Sequence, residues 1–392
     1  MKQLLYIHNT ESWVGKHCET TAVKHVLDYY GLDYSEDFLF GISGGIGFIY
    51  WYAKNMNVPF IGTKNKTRKG TIQEVCEKLN LNCQVKETAS IMRAQRYLEK
   101  AVAVGKPLIV NVDLALLQYS GVPQNAHFGG HAVAVFGVDQ EKSLVYILDR
   151  GRKLVSEPME SFQLARNSSY QPFSPKNRSF LIEPDSQNKL TKEELINHDM
   201  IIDSIRECVS EMMYPEIRNK GITGFDIWAR KMKKWTEDFQ GLDFLGCLMN
   251  VFSNVVIGGT GGDAFRSMYA RFLRECSVLL GNEQLKEAAL RYEAAGVCWV
   301  ELAQLALPDS CNYLKQVKET MYAKNQIFED GKPDALSRLL ELQQKQKQIL
   351  EMAAEEAVNH QKEIISDLCQ KVKRCKALEQ DALSCLSSCL EN

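Results

Sequence analysis

The sequence predicts an α+β fold in the first half of the chain, an antiparallel sheet with helices, followed by an all-α second half. Residues 1–183 alternate short apolar runs of strand length with segments of helical periodicity, and two of these runs are spaced as a hairpin. Beyond residue 190 the periodicity is almost entirely helical. A chain of 392 residues is too long for one hydrophobic core, so we expect two domains, residues 1–185 and 190–392.

Strands and helices of the first half can be placed from their apolar patterns. A helix is predicted over residues 18–30, because its apolar side chains share one face and Gly31 suits a C-terminal cap. A glycine-rich loop is expected at residues 40–48, FGISGGIGF. Further strands are predicted at residues 4–8, 49–54, 59–62, 107–112 and 178–182, and further helices at residues 71–79 and 94–104.

The second half begins with a predicted linker at residues 185–189, after which Thr191 and Glu194 have the spacing of a capping box. A glycine-rich corner at residues 257–266 is expected to join two helices, with Thr260 or Asp263 as N-cap. The last helical stretch is too long for a globular helix and is expected to be two helices or a long antiparallel pair. The predicted helices are residues 191–213, 224–238, 242–256, 263–280, 283–306, 309–328 and 334–391.

Composition and charge exclude several classes of protein. The formal net charge is −2, so a general affinity for nucleic acid or for an anionic membrane is not expected. No apolar run approaches the ~18 residues of a membrane span, and the N-terminal segment is too short and polar for a signal peptide, so we expect a cytoplasmic protein. The 12 cysteines are scattered without zinc spacing, so no metal site is predicted and most thiols should be free and buried.

The predicted hairpin of residues 129–149 brings an imidazole and a carboxylate together. Its apolar strands, residues 132–136 and 144–148, flank a polar turn. His131 lies ten residues before the turn centre near Glu141 and Asp149 lies eight after it, so the two should be near neighbours across the strands. A histidine held by a carboxylate is typical of a general base that acts on a nucleophile.

Cys18 is the candidate nucleophile, because it falls in the first turn of the predicted helix. Free N–H groups and the positive dipole end of a helix favour the thiolate form of a cysteine there. The order Cys18, His131, Asp149 is that of papain-like cysteine enzymes. The alternative is a buried structural thiol and a hydrogen-bonded core histidine that never meet.

Other polar residues near these motifs are weaker candidates. His17 adjoins the thiol but points about 100° away on a helix, while His127 and Asp113 are candidates for substrate contact. No glutamine between Leu4 and Cys18 can complete a papain-type oxyanion hole. The Cys18 N–H is expected to serve instead, with Trp13, Ser12 or Asn9 nearby.

Seven motifs resemble the butirosin biosynthesis protein H family and together cover most of residues 10–300. The N-terminal motifs are WVGKHCETTAVKHVL, LFGISGGIGFIYW, VNVDLALLQY, HFGGHAVAVFGVD and VYILDRG. The motifs GITGFDIWARKMKKW and GGTGGDAFRSMYARFLREC resemble the accompanying helical domain. The resemblance implies a papain-like acyltransferase with Cys18 as nucleophile, His131 as base and Asp149 as orienting acid. Related papain-like proteins form amides in nonribosomal peptide assembly, as in closthioamide biosynthesis.

The resemblance also implies a carrier-protein partner. An acyl or peptidyl carrier protein would present the acyl group on its phosphopantetheine thioester, and a small-molecule amine would accept it, with no bound cofactor. The basic clusters Lys64, Lys66, Arg68, Lys69 and Lys231, Lys233, Lys234 are solvated faces or the places where an acidic carrier docks. The residues proposed for substrate binding are Trp13, His17, Gly44, Gly45, Asp113, His127 and Arg266.

Two other functions stay open at this point. A cysteine peptidase or amidase would use the same three residues, and a non-catalytic binding or scaffold protein would keep the fold and use its long helices for partners. The long helices are also compatible with a homodimer.

Overall fold

The structure is a computed structural model that describes residues 2–5, 13–53, 56–65, 67–123, 125–184, 196–332 and 334–390. The predicted linker at residues 185–189, the capping box of Thr191 and Glu194, and the oxyanion candidates Asn9 and Ser12 lie outside the described residues, as does most of the strand predicted at residues 4–8. No helix in the described part of the chain is both long enough and apolar enough to span a membrane.

The described elements follow one another in chain order as a mixed first half and a helical second half. The first half contains β1 (Lys2–Leu4), α1 (Cys18–Tyr29), α2 (Glu36–Ile42), β2 (Ile46–Trp51), β3 (Phe60–Lys64), α3 (Thr71–Lys78), β4 (Asn82–Lys86), α4 (Ile91–Ala103), β5 (Leu108–Val112), β6 (His131–Asp139), β7 (Leu144–Leu148), β8 (Val155–Pro158), α5 (Met159–Arg166) and β9 (Ser179–Glu183). The second half contains α6 (His198–Met213), α7 (Gly221–Met232), α8 (Trp235–Asp238), α9 (Gly241–Phe252), α10 (Arg266–Leu280), α11 (Gln284–Ala306), α12 (Asn312–Asp330), α13 (Ala335–Asn359) and α14 (Gln361–Cys389).

The chain forms two compact units, and each is assembled from separate stretches of sequence. The first unit comprises Met1–Leu39, Lys69–Ile196 and Lys324–Gln343. The second unit comprises Phe40–Arg68, Asn197–Ala323 and Gln344–Asn392. Phe40–Arg68 therefore belongs to the second unit and Lys324–Gln343 to the first, although the sequence predicts a single boundary near residue 185. A pattern of apolar residues shows that a face is buried but does not show which element covers it.

The first unit is built on a seven-stranded antiparallel sheet within the described residues. Its strand order is β4-β9-β5-β6-β7-β8, and β1 pairs with β6 away from this path. The α+β fold predicted from the sequence is confirmed. Valines of β5 and β6 form the core of one face together with Leu98 of α4 and Phe162 of α5. This arrangement fixes the central strand β6, whose first residue is His131.

Helix α1 confirms the predicted helix at residues 18–30 and its cap. Ala22, Val23, Val26 and Leu27 form its buried face. Gly31 follows with a φ of 80°, which satisfies the carbonyls of the last turn through a bond from its N–H to Asp28. The helix is therefore held by both a buried face and a glycine cap.

The expectation of a loop at residues 40–48 is wrong. Helix α2 extends to Ile42 and β2 begins at Ile46, so only Ser43, Gly44 and Gly45 form the connection. The apolar side chains between the glycines are fully buried, and their packing outweighs the flexibility of glycine. Gly47 lets β2 approach β3, because a Cβ there would lie 2.5 Å from the backbone nitrogen of Asn65.

The second unit contains the β2–β3 hairpin and most of the helices. The long stretch at residues 334–391 is two helices, α13 and α14, which confirms the first of the two arrangements expected from its length. The glycine corner at residues 257–266 is a turn between helices as predicted, but α10 begins at Arg266 rather than near Asp263. Asp263 still caps this helix through a bond that its carboxylate accepts from the Ser267 N–H.

Candidate active site

Cys18 is the first residue of α1, as the sequence predicts, and its side chain is partly exposed. His17 is the N-cap, and its Nδ1 accepts a hydrogen bond from the Thr20 N–H at 3.4 Å. The Thr21 N–H donates to the His17 carbonyl. Within the described residues the Cys18 N–H has no acceptor, so a free backbone donor lies beside the thiol.

The segment before Cys18 is fixed by the buried carboxylate of Glu36. This carboxylate accepts hydrogen bonds from the N–H groups of Lys16 and His17, both at 2.9 Å, and from the Thr20 and Thr21 hydroxyls. Burial raises the pKa of Glu36, although the donors partly oppose this effect. The start of α1 is therefore clamped to the first turn of α2.

A second clamp joins the same segment to the end of β7. The Gly15 N–H donates to the Arg150 carbonyl at 2.8 Å, which ties the approach to Cys18 to the residue after Asp149. Glycine is required here, since a Cβ would lie 2.2 Å from the Thr21 hydroxyl oxygen. The segment before Cys18 and the segment after Asp149 are thus joined directly by a backbone hydrogen bond.

His131 and Asp149 meet as the hairpin predicts. The distance between His131 Nε2 and Asp149 Oδ2 is 2.8 Å, and both residues are buried, at 3% and 4% exposure. The other ring nitrogen, Nδ1, is not used by Asp149, and the Cys18 side chain is near enough to contribute to the raised pKa of the imidazole. In the Ser-His-Asp enzymes the carboxylate instead contacts Nδ1, and Nε2 faces the nucleophile.

A β-bulge sets the side of the sheet on which His131 and Asp149 meet. β6 and β7 pair Val135 with Ile147 but Gly137 with Tyr146, so Phe136 is an extra residue. Continued past Leu148, this register puts Asp149 opposite Val133, two residues from His131 and on the same face. In a regular ladder Asp149 would oppose Ala134, and His131 would point to the other face.

The charges of the site are strongly coupled. Burial alone would lower the pKa of His131, but the Asp149 carboxylate and then the Cys18 sulfur outweigh this effect and raise it to about 10. Burial alone would raise the pKa of Asp149, whereas His131 and Arg150 hold it below its usual range. A protonated imidazole beside the ionised Asp149 carboxylate is therefore favoured at neutral pH.

Three further groups hold Asp149 in place. The Tyr119 hydroxyl donates to Oδ2 at 2.8 Å, and the Arg150 N–H donates to Oδ1 at 2.7 Å. The backbone carbonyl of Asp149 accepts from His25 Nε2 at 3.2 Å, and burial lowers the pKa of His25 to about 4, so this ring is neutral. The carboxylate is thus directed by neutral donors while its charge is balanced by His131.

A second His–Asp pair occurs in the first unit, between His127 and Asp113. His127 Nδ1 lies 2.9 Å from Asp113 Oδ2, and the ring stacks on Tyr170 with 3.3 Å between centroids. Asp113 is fully buried and also accepts from the Ser168 hydroxyl and the Phe128 N–H. Its carboxylate is occupied by protein donors, so the proposed substrate contact finds no support in the contacts of Asp113.

The remaining substrate-binding candidates fall into two groups. Trp13 and His17 lie in the first unit beside α1, where the Trp13 ring packs 4.8 Å from that of His25. Gly44, Gly45 and Arg266 belong to the second unit. Arg266 is fully buried and pairs with Glu379 at 2.6 Å, so its guanidinium is a structural ion pair.

Sequence reasoning missed Glu36, Tyr119 and Gly15. Glu36 could have been noticed as an acidic residue in the first turn of a helix, although that position alone indicates only a dipole interaction. Nothing local identifies the partner of Tyr119 or of the Gly15 N–H, because each contact joins distant segments. In the described part of the chain no group of His, Cys, Asp and Glu is arranged to hold a metal ion.

Comparison with known proteins identifies two matching family models. Residues 17–150 match butirosin biosynthesis protein H, N-terminal, and residues 160–329 match a domain of unknown function (DUF4872). The first match contains Cys18, His131 and Asp149. No curated protein matches the chain.

Proposed function

We propose that the chain is a papain-like cysteine acyltransferase of secondary-metabolite biosynthesis, because residues 17–150 match the butirosin biosynthesis protein H N-terminal model and residues 160–329 match the DUF4872 model. It would move an acyl group from the phosphopantetheine thioester of a carrier protein, through Cys18, to an amine. The single observation that carries this proposal is the His131–Asp149 pair at 2.8 Å, whose imidazole has its pKa raised by Asp149 and by the Cys18 side chain.

The first step is thioester exchange. The Cys18 thiolate attacks the acyl carbon, a new C–S bond forms, and the C–S bond to phosphopantetheine breaks. The leaving thiolate takes its proton from the His131 imidazolium, which the raised pKa of His131 keeps charged at neutral pH. Exchange of one thioester for another is roughly neutral in free energy, so the step requires no nucleotide.

The second step forms the amide. An amine attacks the acyl group on Cys18, neutral His131 accepts the amine proton, and the Cys18 thiolate leaves. The charge of the Cys18 sulfur contributes to the raised pKa of His131, and acylation removes that charge. The imidazole is therefore a stronger acid in the acyl-enzyme than in the free enzyme, and it can accept the amine proton because it gave its own proton to the leaving thiolate in the first step.

The oxyanion of both steps needs hydrogen-bond donors. The Cys18 N–H is one, because Glu36 and His17 take the neighbouring N–H groups and leave it free within the described residues. It lies at the N-terminus of α1, where the helix dipole also favours negative charge. This donor fits the absence of a glutamine between Leu4 and Cys18 that could complete a papain-type oxyanion hole.

The test uses benzoyl and hexanoyl N-acetylcysteamine thioesters as donors and intact-protein mass spectrometry as the readout. We expect one acyl group on the native protein and none on Cys18→Ala. Cys83→Ala is the matched control, because Cys83 is another partly exposed thiol of the first unit and should leave acylation unchanged.

Addition of a primary amine to the acyl-enzyme then separates the candidate functions. Amide as the main product supports the transferase. Free acid in the presence of excess amine indicates a hydrolase instead. Full acylation of Cys18→Ala, or acylation of neither protein, contradicts a covalent role for Cys18.

A further inference from the structure

A concentration of positive charge lies where α7 of the second unit packs against α14. Arg230 and Lys233 project from the end of α7, and Lys373 and Lys376 project from α14, around one small depression; we name these four side chains the basic rim. Arg230, Lys233 and Lys373 are exposed to solvent. The rim is notable because the whole chain carries a net charge of −2.

Little of this charge is neutralised inside the protein. Asp226 is the one acidic residue around the depression, and it pairs with Lys376 at 2.7 Å. Among the described residues no carboxylate forms an ion pair with Arg230, Lys233 or Lys373. Three positive charges therefore face solvent without an internal partner and are available to an external anion.

The floor of the depression is apolar and firmly packed. Phe225, Ala229 and Val372 lie among its lining residues and are themselves buried. Phe225 stacks on Phe48 with 4.1 Å between ring centroids and packs 5.5 Å from Trp299. A depression of about 180 Å³ with such support is preformed, which lowers the cost of binding.

An apolar floor inside a cationic rim fits an acidic helix that carries one apolar side chain. The apolar side chain would fill the depression, and acidic residues one turn away on the same helix would face Arg230, Lys233 and Lys373. A nucleic acid fits less well, because the rim is short and surrounds an apolar recess rather than following a continuous charged groove.

We propose that the basic rim is the docking surface for the acidic carrier protein that brings the acyl thioester, an inference that rests on the proposed function. Steering by unpaired charges would speed the encounter, and the apolar contact would hold the carrier. Lys231 and Lys234 are also exposed near the end of α7 and add positive charge to the same stretch of the chain.

The test compares two donors with the same acyl group. One is an acidic holo acyl carrier protein loaded with benzoate, and the other is benzoyl N-acetylcysteamine thioester. The variant Lys233→Glu/Lys373→Glu should lower kcat/KM for the carrier-bound donor by about tenfold or more, mainly through KM, because reversed charges repel the carrier. It should leave kcat/KM for the small thioester unchanged, which also shows that the variant is folded.

The matched control is Lys345→Glu/Lys347→Glu, which changes the net charge equally at two exposed positions of the same unit. It should behave as the native protein with both donors. An equal loss of kcat/KM in the control, or an unchanged kcat/KM for the carrier in the rim variant, overturns the proposal.

Failure of the proposed function gives a different result. If neither donor acylates Cys18, docking is measured alone by titration of the holo carrier into the native chain and both variants at low salt. Weaker binding to the rim variant only supports docking. Carrier binding that is equal for all three proteins overturns it, as does a parallel titration in which the rim variant loses binding to duplex DNA but keeps binding to the carrier.

Discussion

The first unit contains two His–Asp pairs, His131–Asp149 and His127–Asp113, whose histidines lie four positions apart in sequence. The two pairs differ in the other groups that contact the carboxylate and the ring. In the pair His131–Asp149, the carboxylate accepts from one charged ring and two neutral donors, and the Cys18 side chain helps to raise the pKa of the ring. In the pair His127–Asp113, the carboxylate serves a ring, a hydroxyl and a backbone N–H, and the ring stacks on Tyr170.

The difference teaches that the pair itself does not make a catalytic site. The two rings differ in their other neighbour: the Cys18 side chain helps to raise the pKa of His131, whereas the Tyr170 ring stacks on His127. Asp113 also caps the turn at Leu114–Leu116, a structural task that Asp149 does not have. Variants of the two pairs should therefore separate loss of chemistry from loss of stability.

The largest separation is expected from the two histidines. His131→Ala should reduce acylation of Cys18 by about 10³–10⁴-fold in single-turnover experiments, because the proton donor for the leaving thiol is lost. His127→Ala should stay within about tenfold of the native rate, since its ring contacts no nucleophile among the described residues. A comparable loss in both variants would show that the second pair takes part in the chemistry.

The carboxylates should differ in how alkylation by iodoacetamide depends on pH. In the native protein the pKa of His131 is raised to about 10, so the imidazolium that favours the thiolate persists from neutral pH to that value and is lost above it. Asp149→Asn removes the charge that opposes burial and lowers the pKa of His131. The rate at neutral pH should fall by about 10²-fold and recover at higher pH.

Asp113→Asn is the control for the alkylation experiment and should keep the native pH profile. A profile of Asp149→Asn that coincides with that of the native protein would exclude Asp149 as the source of the charged imidazole. Rates are read from loss of free thiol at Cys18 by peptide mass spectrometry.

The free energy of unfolding should depend more on the His127–Asp113 pair, the reverse of the order expected for the acylation rate. Asp113→Ala leaves the Phe128 N–H, the Ser168 hydroxyl and His127 without their acceptor in a buried place, which should cost about 3 kcal/mol. Ser168→Ala removes one donor and should cost about 1 kcal/mol. Urea unfolding monitored by circular dichroism measures both, and an unchanged midpoint for Asp113→Ala would refute its role as a structural cap.

The smallest effect is expected from the tyrosines beside the two pairs. Tyr119→Phe removes the hydroxyl that donates to Asp149 Oδ2, so acylation should slow by about threefold to tenfold. Tyr170→Phe keeps the ring that stacks on His127 and should leave the rate unchanged. Equal rates for both variants would mean that the Tyr119 bond does not orient the carboxylate.

Much of the candidate site could be predicted because its signals are local. The hairpin that brings His131 to Asp149 lies within 21 consecutive residues, 129–149, and the position of Cys18 follows from the periodicity of one helix. The partner of Glu36 could not be predicted, since its carboxylate joins residues about 20 positions away without a shared pattern. The Tyr119 contact with Asp149 was beyond sequence reasoning for the same reason.

The fold shows the same limit. The sequence pattern predicts the antiparallel sheet and the helical second half, but not the assignment of Phe40–Arg68 to the second unit. The glycines at residues 40–48 favour a loop by propensity alone, whereas buried Phe40, Ile42 and Phe48 impose regular structure on the run. Tertiary packing determines both the unit to which Phe40–Arg68 belongs and the regular structure of residues 40–48, and such packing cannot be predicted from a short window of residues.

Phe136 has a consequence for anyone who would transplant this constellation to another scaffold. Its extra place in β6 changes which of the alternating positions on β7 share a side with His131. On an ideal two-stranded ribbon without that insertion, the acid would have to occupy the place of Arg150, opposite Val133, to reach the imidazole. A design that copies Cys18, His131 and Asp149 without the extra residue Phe136 would therefore keep the three residue types but place His131 and Asp149 on opposite faces of the ribbon.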